Sequence, residues 1–93
     1  MAIDINLLKK EEVLESVSSA VDREIEIGEF MVKKTNSEIK AFENKFKMGS
    51  DDFLKKFEGG KLGDNEEYFE WFSAIKAKER WQRKLHSLKS LSK

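Results

Sequence analysis

The densest set of side chains able to do chemistry is the carboxylate cluster Asp64, Glu66, Glu67 and Glu70, where Glu67 and Glu70 fall three apart on one helical side. A hard cation would need about six converging oxygens, and neither an EF-hand spacing nor a Glu-x-x-His pair accompanies these acids. Helix capping accounts for them better, with Asp64 as cap and Glu67 as its reciprocal partner. His86 is the only histidine, and a lone imidazole in a basic stretch completes neither a triad nor a ligand set. Gly59-Gly60-Lys61-Leu62-Gly63 looks like a phosphate loop, but the GxxxxGK[ST] order is absent and no strand precedes it. No GxSxG occurs. The chain therefore reads as non-enzymatic, with no cofactor, no metal and no small-molecule substrate implied.

Two kinds of residue remain that could recognise a macromolecule. Lys78, Arg80, Arg83, Lys84 and Lys89, with Trp81 among them, combine cations with a stacking ring as a nucleic-acid surface would. Yet net charge is zero, and the charges are segregated: residues 1–30 hold eight acids against three bases, whereas residues 76–93 hold seven bases against Glu79 alone. An acidic helix lying beside the basic one would cancel most of that field, which makes nucleic acid the less favoured partner. The second kind is apolar. Leu7, Leu8, Val13, Leu14, Val17 and Val21 stripe the N-terminal stretch, and Phe69, Trp71 and Trp81 give the C-terminal helix more aromatic surface than one short helix covers. Tryptophan is enriched at protein–protein hot spots, and an apolar stripe left in water marks a contact surface.

The elements that position these residues are helical. The chain has no proline, 39% charged residues and few strand signals, so an all-α fold is expected. Zero cysteines exclude a disulfide framework. The N-terminus turns charged after a few apolar residues, which fits neither a signal peptide nor a spanning helix and points to a cytoplasmic location. Leu14, Val21, Gly28, Thr35 and Phe42 recur every seven residues, and Ile25, Val32, Ile39 and Phe46 form a second row. This coiled-coil-like repeat predicts a helix from about Leu7 to about Lys47, roughly 60 Å long. Two features interrupt it: Glu24–Phe30 alternates as a strand would around Gly28, and Thr35-Asn36-Ser37-Glu38 reads as a capping box. Helix throughout is preferred, with a kink near Gly28 or a break near Thr35 left open.

Gly49 is expected to supply the left-handed residue that ends this helix, and Ser50 to cap a short one over about 51–58. Gly59-Gly60 then stops the chain, Leu62 packs back, and a last helix runs from about 65 to 89. Eight of the ten aromatics lie between Phe42 and Phe72, where the core should form. Short turns make this single 93-residue domain an antiparallel helical hairpin, assembled into an oligomeric bundle. Pairing Lys47 with Asn65 sets the basic C-terminal helix beside Asp22–Glu29 and leaves residues up to about Ala20 projecting, so a protein partner or a second copy is expected there.

The run Lys47–Trp71, most specifically Phe57-x-x-Gly60-x-Leu62-Gly63-Asp64-x-x-x-x-Phe69-x-Trp71, resembles small prokaryotic helical proteins, several of them antitoxin-like members of two-gene toxin-antitoxin pairs. The resemblance implies a cytoplasmic protein that binds and restrains a small toxin, with the N-terminal half making the contacts. No DNA-binding domain is recognisable upstream, so transcriptional autoregulation is not implied. The alternatives from other classes are a structural homo-oligomerisation module and a small nucleic-acid-binding protein.

Overall fold

The computed structural model of the chain describes residues 10–91, with side chains from Val13 onward. Leu7 and Leu8 lie outside the described residues. Three helices follow in order: α1, Lys10–Phe46; α2, Ser50–Glu58; and α3, Glu66–Leu91. The long helices pack antiparallel as a hairpin, and α2 closes the end where they join.

α1 is continuous, and both places where it could have been interrupted have a packing role instead. Thr35 is buried, and its hydroxyl donates to the carbonyls of Met31 (2.9 Å) and Val32 (3.1 Å) within the helix, so it starts no capping box. Gly28 is where α3 comes closest. A Cβ at that position would sit 2.7 Å from Leu85 Cδ2 and 3.5 Å from Trp81 Cε3, so the missing side chain allows a tight crossing rather than a kink. The alternating run around it is helical, which spreads its apolar residues around the cylinder. Ile25 is half-buried, while Ile27 and Phe30 face outward.

The turns use different residues from those expected. The left-handed residue ending α1 is Lys47 (φ 54°), and the Met48 N–H returns to the Glu43 carbonyl (3.2 Å), the longer bond of a Schellman motif. Gly49 is extended (φ −72°, ψ 155°) and caps α2 without a side chain. The capping group comes from α1: Glu43 Oε2 accepts both the Ser50 N–H (3.0 Å) and the Ser50 hydroxyl (2.8 Å). α2 ends on a second Schellman motif, with Gly60 at φ 69° and the Lys61 N–H bonded to the Lys56 carbonyl (2.9 Å). Asn65, not Asp64, caps α3 by accepting the Glu67 N–H (2.9 Å). Glu67 is not its reciprocal partner, because its carboxylate accepts from Lys45 (2.6 Å) across the hairpin.

The core lies at the closed end. Trp71 and Phe53 are fully enclosed and stack at 3.9 Å with 9° between ring planes; Phe42 and Phe46 stack on the same indole at 5.9 and 5.8 Å. Ile39, Ala74 and Ile75 complete the buried set, with Leu54, Leu62 and Phe72 packed around it. Full burial of one large apolar side chain contributes about 1.5–3 kcal/mol, so these rings carry much of the folding free energy. The Trp71 indole N–H donates to Ser50 Oγ (3.2 Å), which joins α3 to the Glu43–Ser50 bond between the other two helices.

Candidate protein-binding surface

The register of the hairpin decides which apolar residues are left over. Lys45 meets Glu67, Asn36 Oδ1 accepts from Lys78 (2.7 Å), Leu85 lies over Gly28 and Lys84 meets Glu24 (3.1 Å). This is the antiparallel pairing that sets the basic end of α3 beside the acidic half of α1, where Lys89 also reaches Glu29 (3.8 Å). α3 ends at Leu91, about level with Val21, so the first turns of α1 run on alone as an arm. Every residue from Val13 to Ala20 is exposed, including Val13 (47%), Leu14 (66%) and Val17 (55%). Helical spacing puts Leu14, Val17 and Val21 on the face that Gly28, Thr35 and Ile39 turn toward α3. The arm thus carries the hairpin seam beyond the helix that covers it.

The aromatic candidates separate. Trp71 is a core residue, sealed by the stacked rings and by its bond to Ser50, so it is not available as a contact. Trp81 is half-buried against Gly28, with the Lys84 ammonium 4.8 Å from its ring. Of these three, only Phe69 offers its ring to solvent: it is 53% exposed and sits edge-on to Phe57 at 5.2 Å. Phe69 also edges a shallow groove between α1 and α3. Met31, Lys34, Thr35 and Glu38 line one wall, and Ala74, Ala77 and Arg80 lie on the other.

Among the described residues, three large exposed apolar side chains lie outside the sequence-derived candidates: Ile27 (41%), Phe30 (65%) and Leu91 (72%). Ile27 had a readable signal, since Val13, Ala20 and Ile27 are seven residues apart on a row beside the main stripe. The strand-like alternation over Glu24–Phe30 masked it.

Of the cations proposed for nucleic acid, Lys84 and Lys89 face Glu24 and Glu29, Lys78 donates to Asn36, and Arg80 and Arg83 are exposed. His86 is exposed on the same helix. Among the described residues no three His, Asp or Glu side chains come together as a metal site, and no helix is long and apolar enough to cross a membrane. Comparison of the chain with protein-family models, with curated proteins and with solved structures yields no match.

Proposed function

We propose that this chain is a non-enzymatic protein-binding module whose binding element is the projecting arm of α1. The observation that carries the reading is the exposure of Leu14 and Val17 in line with the face of α1 that α3 covers at Gly28, Thr35 and Ile39. An apolar stripe on a helix is the form in which amphipathic helices enter grooves on other proteins. The shape supports it: the radius of gyration is 20.0 Å, whereas a compact chain of this length has about 12 Å. Extension leaves apolar area uncovered.

The resemblance of the Lys47–Trp71 run to antitoxin-like proteins supplies the concrete version, in which the chain is cytoplasmic and the partner is a small toxin. That run builds the closed end and the core, so it would hold the scaffold while the arm made the contact. A structural homo-oligomerisation module is the second reading, favoured by Ile27 and Phe30, which extend the uncovered surface along α1. Nucleic-acid binding is weakened by the acids that Lys84 and Lys89 face.

The test is co-purification with the product of an adjacent toxin-sized reading frame, using the natural chain and a Leu14→Glu/Val17→Glu variant with unchanged helicity by circular dichroism. Binding by the natural chain and its loss in the variant are expected. Binding that survives both substitutions overturns the arm as the binding element.

A further inference from the structure

The arm reading leaves unexplained why Ile27 and Phe30 are exposed within the stretch that α3 already covers. Ile27 continues the row Val13–Ala20, and the next residue of that row, Lys34, lines the groove between α1 and α3. The row lies about 100° around α1 from Gly28, because each residue turns an α-helix by about that angle. An apolar strip thus runs from the arm straight into the groove.

We propose that the partner covering this strip is a second copy of the chain, packed side by side and antiparallel about a two-fold axis between Arg23 and Glu24, so that each copy's arm lies in the groove of the other. This inference rests on the arm being the binding element and names what it binds. The register makes the surface self-complementary, as a closed two-fold contact requires. Ile27 of one copy falls on Ala20 of the other, large on small, and Phe30 falls level with Val17 along the axis.

Charge favours the same placement. From residue 10 to 22 the sequence holds four acids against Lys10, and the part of the groove this stretch reaches is flanked by Lys34 and Arg80. Glu38 and Glu70 border the groove nearer the closed end, past the level of Lys10. Pairing the two arms alone, end to end, would set one acidic segment against another and leave Ile27 and Phe30 in water. Side-by-side packing gives each arm two helices to lie against, α1 and α3 of the other copy, so the apolar stripe is covered as in a helical bundle.

The chain has no cysteine, so single introduced cysteines report the register cleanly. The expected results are a light-scattering mass of twice the 10.9 kDa chain, disulfide formation by Arg23→Cys with itself, and a disulfide between Val13→Cys and Lys34→Cys when the two are mixed. Phe30→Glu, at a side chain α3 does not cover, should weaken dimerisation at least tenfold with the circular dichroism spectrum unchanged. A monomeric natural chain, self-crosslinking of Val13→Cys or Ser16→Cys in place of Arg23→Cys, or a Phe30→Glu chain that dimerises normally would overturn the proposal. A monomer that still binds another protein through Leu14 and Val17 would remove the second copy as occupant and leave the arm reading intact. Binding of any partner that ignores Leu14 and Val17 would instead remove the arm reading.

Discussion

Trp71 concentrates the stability of this molecule in one side chain. Its ring is stacked by Phe53, Phe42 and Phe46, and its N–H ends a chain of hydrogen bonds through Ser50 to Glu43. Trp71→Ala removes the rings' shared partner and is expected to destabilise by about 3–5 kcal/mol in chemical denaturation. Ser50→Ala leaves the indole donor and one Glu43 interaction unmet, for a loss of about 1–2 kcal/mol. Gly28→Ala sets two effects against each other. Alanine favours a helix over glycine by about 0.5–1 kcal/mol, but its Cβ would press on Leu85 at 2.7 Å, and overpacking costs about 1–3 kcal/mol. A net loss of stability is therefore expected in the same measurement, with a Leu85→Ala background removing the clash and reversing the sign of the Gly28→Ala effect.

At the level of the helices, α1 is one rod with two regimes. From Val21 onward tertiary contacts hold it, whereas Val13 to Ala20 have no helix across from them in a single chain. Short helical segments without packing are marginal in water. In the Phe30→Glu chain, amides of residues 13–20 are expected to exchange with solvent faster than those of residues 35–46, read by hydrogen-exchange mass spectrometry. The closing helix α2 depends on its exit. Gly60→Ala imposes a side chain on a left-handed residue (φ 69°) and is expected to cost about 1–2 kcal/mol of stability in thermal or denaturant unfolding.

For the whole molecule, the opposed charges of α1 and α3 orient the hairpin more than they stabilise it. The pairs Lys45–Glu67 and Lys84–Glu24 are partly exposed, and such surface pairs contribute about 0–1 kcal/mol each. Raising salt to about 1 M is therefore expected to change the unfolding free energy by less than about 1 kcal/mol, while the aromatic core persists. Much of this architecture is legible in the residues themselves. The seven-residue rows place one face on α1, the glycines and capping residues bracket α2, and the opposed end charges agree with the pairing of Lys45 with Glu67 and of Glu24 with Lys84. The projecting segment follows from the unequal lengths of the two long helices.

Sequence by itself determined the helical class, the approximate ends of α2 and α3 and the level at which α1 runs on past α3, because periodicity and turn chemistry act over a few neighbouring residues. Only tertiary structure decided that Gly28 and Thr35 sit inside one unbroken helix, that Glu43 caps α2 across the chain, and that Trp71 is sealed while Phe30 is not. Those outcomes depend on which atoms of a distant helix come within a few ångströms, as Leu85 does at Gly28 and Ser50 does at Trp71. No local pattern encodes that distance.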